Sequence, residues 1–374
     1  VTPAPTPAPG AATAPAAPPP PPAGRRALRA GPVSWTWRPR TAAVALLVCA
    51  ALAGLFVRAL TAFDDYPMGA ADVLAVLAGG GDGGERFVVM ELRMPRALTG
   101  ALVGAGLGLS GAILQGVARN PLASPDTLGI GWGASVGAVL VIVLGGSAGG
   151  VSGAAAQFGV PAGAVVGGLA AAVAVFGLSW RAGVSSTRLL LVGVAVSLMC
   201  ANLVYWAMTW SDLQDAARAQ TWVTGSLHAA DWERVGTAAA ALAVLLPVAL
   251  AAAATVAALG LGDDAARGLG VRVDAARLVL LTCAALLVCA ATAAAGPITF
   301  VALAAPQIAL RLCGTAQPPP LTSALTGAAL TLGADQLAAG LFAPTQLPVG
   351  VFTAVLGAPF LMYLIILRHR EARL

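Results

Sequence analysis

Ten apolar stretches, near residues 41–62, 95–116, 126–146, 160–180, 188–209, 235–259, 277–295, 298–313, 321–342 and 348–367, constrain this 374-residue chain more than any motif in it. A helix needs ~20 mainly apolar residues to cross the hydrocarbon core, and lipid offers no partner for an unpaired backbone N–H or C=O. Stretches of that length, in a chain 58% hydrophobic and only 10% charged, predict an all-α polytopic membrane protein with about ten transmembrane helices. The eighth stretch is short, and its boundary with the seventh is open.

Lysine is absent, so 21 arginines carry all the basic charge and their placement sets the expected orientation. With the N-terminus inside, only Arg58, Arg86, Arg93, Arg96, Arg218 and Arg234 fall at or near the outer side. Both termini are then cytoplasmic, which requires an even number of spans. The net charge of +5 is largely this asymmetry and points to a lipid bilayer, not to nucleic acid. Residues 1–33, rich in Pro and Ala, are expected to form a disordered cytoplasmic tail, and 34–374 a single membrane domain. The tail lacks the pattern of a cleaved signal peptide, so the first span is expected to target the chain to the membrane. Five cysteines without CxxC spacing and two distant histidines predict packing residues and no metal site.

Several segments stand out from the apolar background. Arg93-Met94-Pro95-Arg96 follows an outer loop at 63–92 and opens the second stretch, where proline costs little and fixes helix entry. Arginines placed there either snorkel to the interface or offer a planar fork to a carboxylate from outside. On the inner side, Arg119-Asn120-Pro121-Leu122-Ala123-Ser124-Pro125 reads as a rigid turn, because each proline holds the residue before it extended. Ser186-Thr187 precedes the fifth stretch, a place where hydroxyls commonly bond neighbouring backbone. The inner loop 260–276 contains Gly262-Asp263-Asp264-Ala265-Ala266-Arg267-Gly268-Leu269-Gly270, which reads as a short helix. Asp263 and Asp264 suit its N-terminal cap and dipole, and Gly268 or Gly270 its end.

These segments resemble those of the FecCD family of importer permeases, and the resemblance extends over roughly residues 40–367. It also rests on Gly296-Pro297-Ile298-Thr299-Phe300, Ala334-Asp335 and Gln346-Leu347-Pro348-Val349-Gly350. The resemblance implies the helical fold of the family's vitamin B12 branch. It implies that Arg93 and Arg96 dock acidic side chains of a substrate-binding protein, and that Asn120, Leu122, Ser186 and Thr187 form a cytoplasmic gate. Gly262, Asp263, Asp264, Arg267, Leu269 and Gly270 would form the loop that fits a cleft on a separate ATPase. Gln307 and Leu310 depart from the family's usual histidine and arginine, and Ala339 from an outer arginine that some members carry. Gln346, Gly262-Asp263-Asp264 and Leu128-Gly129 are similar to the G-type permease branch of ferric enterobactin importers.

The expected function is therefore that of a permease subunit for ferric siderophores in the bacterial cytoplasmic membrane, with cobalamin or haem as the alternative cargo. A GxxxxGK[ST] phosphate loop cannot occur without lysine. No catalytic residue or bound cofactor is expected, and ATP and magnesium would be used by partners. Those partners are two ATPase subunits, a second permease, either non-identical or another copy of this chain, and an extracytoplasmic siderophore-binding protein. The competing class is an ion-coupled secondary transporter, which needs an ionisable group in the membrane; Asp335 is the acidic residue inside an apolar stretch.

Overall fold

The computed structural model describes residues 26–30, 33–61, 66, 68–146, 159–180, 186–341 and 346–371. Most of the expected tail lies outside those residues. Across its end, β1 (Arg26–Ala30) pairs antiparallel with β2 (Val33–Trp37), with Arg26 opposite Trp37.

Among the described residues, ten helices then occupy the positions of the ten apolar stretches. They are α1 (Pro39–Thr61), α2 (Met94–Ala118), α3 (Ile130–Gly146), α4 (Val160–Ser179), α5 (Ser186–Thr209), α6 (Trp232–Ala251), α7 (Val273–Ala295), α8 (Val301–Cys313), α9 (Pro320–Gly340) and α10 (Val349–Glu371). Seven of the described helices are long and apolar enough to cross a membrane, and α3 and α8 are shorter apolar helices. The protein is a multi-pass helical membrane protein.

The bundle is organised around α2, which packs against α6, α7, α8 and α9, while α3 packs on α4 and α5 and α1 covers α9. Every residue of α2 from Gly106 to Ala118 is buried. A helix apolar on all sides belongs in the interior of a bundle, and α2 has that pattern. Its approach to α9 depends on missing side chains. A Cβ on Gly104 would collide with the Gly327 carbonyl, and one on Gly108 with the Ser323 carbonyl. Between membrane helices the lipid supplies no hydrophobic drive, so this backbone-to-backbone packing is itself the attraction.

The structure corrects three boundaries. The expected outer loop 63–92 is largely helical: Ala70–Leu77, then Gly83–Phe87 with a reciprocal Asp82–Glu85 cap, then a π-helical turn over Val88–Arg93 that runs into α2. Pro95 thus lies within a continuous helix of 36 residues and does not begin it. The π turn includes Glu91, whose carbonyl a regular α-helix would drive against the Pro95 ring. The third helix starts at Ile130, not 126, because Pro125 and left-handed Gly129 (φ 74°) hold the preceding segment in turns. The helix expected over 235–259 is divided at Ala252 into α6 and Ala253–Gly260, after Pro247 has removed a hydrogen bond from the turn before it.

Gly104→Leu should cost about 1–3 kcal/mol or more through overpacking, whereas Gly54→Leu, where an added Cβ meets nothing within 4 Å, should cost nothing. Thermal unfolding of the purified chain in detergent measures both.

Candidate functional site

The functional residues gather at the two ends of α2. At its N-terminal end Arg93 is only 2% exposed. Its Nη1 donates to the Leu60 carbonyl at 2.7 Å and its Nη2 to the Tyr66 carbonyl at 2.5 Å, so the guanidinium closes the end of α1. A cation suits the carbonyl end of a helix dipole. Where the sequence suggests a docking cation, Arg93 is a buried side chain bonded to main-chain carbonyls.

Arg96, one turn further on, binds Asp335 of α9 bidentately, Nε to Oδ2 at 2.9 Å and Nη2 to Oδ1 at 3.0 Å. The two side chains are 12% and 1% exposed. Gln346 Oε1 accepts from Arg96 Nη1 at 3.3 Å and from His228 Nε2 at 2.7 Å. With Nε2 donating, His228 Nδ1 is the acceptor for the Ser226 hydroxyl at 2.6 Å. Two separate segments thus meet on Arg96, and a third, at Ser226 and His228, joins them through Gln346. Asp335 is one half of an ion pair with Arg96.

At the C-terminal end of α2, Arg119 adopts the left-handed conformation (φ 51°) that ends the helix. Asn120 Oδ1 then accepts from the Leu122 amide at 3.0 Å, an Asx turn that fixes the loop. Leu122 lines a cavity of about 480 Å³ together with Gln115, Arg119, Gly260, Gln307 and Leu310. Of the other expected gate pair, Thr187 is exposed at the start of α5 and is not among the cavity's lining residues. The Ser186 side chain lies outside the described residues.

The expected short helix is present as Asp263–Gly268, with Leu269 at its C-cap and Gly270 turning the chain at φ 84°. Its N-cap is Gly262 (φ 113°), with no side-chain cap bond. Asp263 and Asp264 instead take arginine partners. Asp263 receives Arg277 Nη1 on Oδ2 at 2.9 Å and Arg277 Nη2 on Oδ1 at 2.7 Å, and Arg119 Nη2 on Oδ1 at 2.8 Å. Asp264 pairs at 3.1 Å with Arg267 on the exposed side. Partial burial alone would raise the Asp263 carboxyl; the hydrogen bonds and charge of Arg277, with Arg119 and Arg267 behind it, hold it below the usual carboxylate range. Among the described residues no group of three His, Cys, Asp or Glu side chains is placed to hold a metal ion.

A buried helix core, a charged projecting helix beside a proline-rich turn, and a paired arginine at the opposite end are now in place. The profile of the FecCD transport family matches residues 50–367. This chain belongs to the FecCD transport family. It is 39% identical, over 80% of its length and 88% of the relative's, to the ferric enterobactin transport system permease protein FepG of Escherichia coli. It is 40% identical to the achromobactin transport system permease protein CbrC of Dickeya dadantii, over 79% and 83% of the two chains. It also resembles a solved inward-facing structure assigned to the metal-chelate type of ABC transporter, with a TM-score of 0.75, 26% identity, and 87% and 99% of the two chains covered.

As a FecCD permease the chain is a transport subunit. Three of its contacts escape sequence reasoning. Arg119 and Arg277 count in the sequence only as inner cations, 144 and 14 residues from the aspartate they share. Gln307, which replaces a usual histidine, donates through Nε2 to Gln115 Oε1 at 2.6 Å, and Gln115 donates to the Leu303 carbonyl at 3.1 Å, a buried amide ladder joining α2 to α8. Only the departure from the family pattern marks Gln307 in advance.

Asp335→Asn should destabilise the FecCD permease by about 3–5 kcal/mol, because it leaves the Arg96 guanidinium without its carboxylate. Adding Arg96→Met should recover most of that loss. Chemical or thermal unfolding of the single and double variants checks the non-additivity.

Proposed function

We propose that this FecCD permease is one half of the membrane pore of an ATP-driven importer that carries ferric siderophores across the bacterial cytoplasmic membrane. Ten spans with both termini inside put the Asp263–Gly268 helix in the cytoplasm and the Arg96–Asp335 pair at the outer side; the arginine asymmetry supports that orientation. The observation that carries the reading is the Asp263–Gly268 helix, held by the buried Arg277 and tied through Arg119 to the loop of Asn120 and Leu122. A projection joined to a constriction is what a pore needs when the ATPase is a separate protein. Two such ATPase subunits would use the ATP and magnesium, and a second, non-identical permease would complete the pathway. The siderophore class is supported by the ferric enterobactin and achromobactin permeases among the relatives. Secondary transport is disfavoured, since Asp335 is already engaged by Arg96.

The siderophore-binding protein would dock at the outer end, and the burial of Arg93 leaves Arg96 as the motif's docking cation. Arg96 is held by Asp335, so an incoming carboxylate would exchange with or join that partner. Arg96→Gln should weaken the assembled complex's affinity for its binding protein by at least about tenfold. An unchanged affinity removes Arg96 from the interface.

The function itself is tested by uptake of labelled ferric enterobactin, a ferric hydroxamate, haem and cobalamin in cells lacking the chain, with and without its restoration and with an ATPase-dead partner. Loss confined to iron chelates, restored only with an active ATPase, is expected. Loss of haem or cobalamin uptake alone would change the cargo, and uptake indifferent to the ATPase would overturn the importer reading.

A further inference from the structure

The segment 119–129 between α2 and α3 is fastened at both ends to distant parts of the chain. At one end Arg119 reaches Asp263, which the 4% exposed side chain of Arg277 fixes to the first turns of α7. At the other end Asp126 Oδ2 accepts the Phe300 amide at 3.1 Å, immediately before α8, and the Ser197 hydroxyl of α5 donates to the Asp126 carbonyl at 3.4 Å. Arg119 and Phe300 are the two non-glycine residues with positive φ among the described residues, at 51° and 65°. A side chain in that conformation is held there by its surroundings.

Between the fastenings the segment has little freedom. Pro121 and Pro125 fix two of its dihedrals, and Leu122 N–H is bound to Asn120 Oδ1. The Ser124 amide donates to Thr127 Oγ1 at 3.0 Å and the Thr127 amide to Ser124 Oγ at 3.2 Å. A stiff segment passes on a displacement at one end, whereas a flexible one absorbs it.

We propose that Arg119 is a positioning residue that makes this segment a lever: it delivers movement of the Asp263–Gly268 helix to Leu122, and through Asp126 to Phe300 at the entry of α8. The proposal rests on the importer reading above and identifies how ATPase movement reaches the inner constriction. Arg119 is 39% exposed, and a pair that open to solvent adds little to stability. Its removal should therefore loosen transmission and leave the fold standing, which separates a lever from a structural brace.

The test uses the complete importer, with its second permease, ATPases and binding protein, in proteoliposomes supplied with labelled ferric enterobactin. Arg119→Asn keeps a residue that tolerates the left-handed backbone but removes the charge. It should assemble at wild-type yield and hydrolyse ATP within about twofold of wild type, while ligand moved per ATP falls by about two- to thirty-fold, the range open to changes in energetic coupling. Arg119→Lys should restore most of the ratio. An unchanged ratio in Arg119→Asn overturns the proposal, and so does a joint fall of yield, hydrolysis and uptake that Arg119→Lys does not reverse. Should the wild-type complex move none of the chelate in response to ATP, the siderophore importer reading fails first, and that result is distinct from either.

Discussion

Helices in a bilayer cannot be drawn together by the hydrophobic effect, because lipid tails are as apolar as the side chains they would exchange for. What remains is close contact, and in this protein it is greatest along α2. Gly104 and Gly108 bring its backbone against Gly327 and Ser323 of α9, and Gly111 brings it against the Ala302 carbonyl of α8. The same device recurs where Gly133 and Gly137 of α3 meet Gly163 and Gly167 of α4. Larger residues at these positions would force the helices apart and separate every polar contact made between them.

Those polar contacts are arranged along one helix and its immediate extension. Arg93 and Arg96 lie at its N-terminal end, Gln115 near its C-terminal end, and Arg119 at its cap. Each reaches a different element: the end of α1, α9, α8, and the short helix before α7. In a low-dielectric interior an unpaired member of any such pair is costly, and each is paired here. The two ends differ in character. Arg96–Asp335 is nearly sealed from solvent, whereas Arg119–Asp263 is open to it.

The departures from the family pattern have a local explanation at one position. Gln307 replaces a histidine but keeps a donor toward α2, and the partner it finds is another amide, Gln115. Leu310 faces the 480 Å³ cavity beside Leu122, where a usual arginine would bring a charge. Ala339 is buried in α9, and nothing in the structure accounts for the loss of an outer arginine there.

The sequence by itself determined the helical class, the position of nearly every long helix, the short charged helix at 263–268 and the proline-stiffened turn after α2. Apolar length, arginine placement and proline are local properties, and backbone hydrogen bonding in lipid leaves them one outcome. It did not determine which charges would meet. Arg93 reads as a surface cation and is buried, because the segment 68–93 folds back, largely as helices, over the end of α1. Asp263 reads as a cap and becomes instead the shared partner of Arg119 and Arg277. Those outcomes depend on how helices far apart in the chain lie side by side, and only the tertiary packing, through glycine contacts that have no charge of their own, decides that.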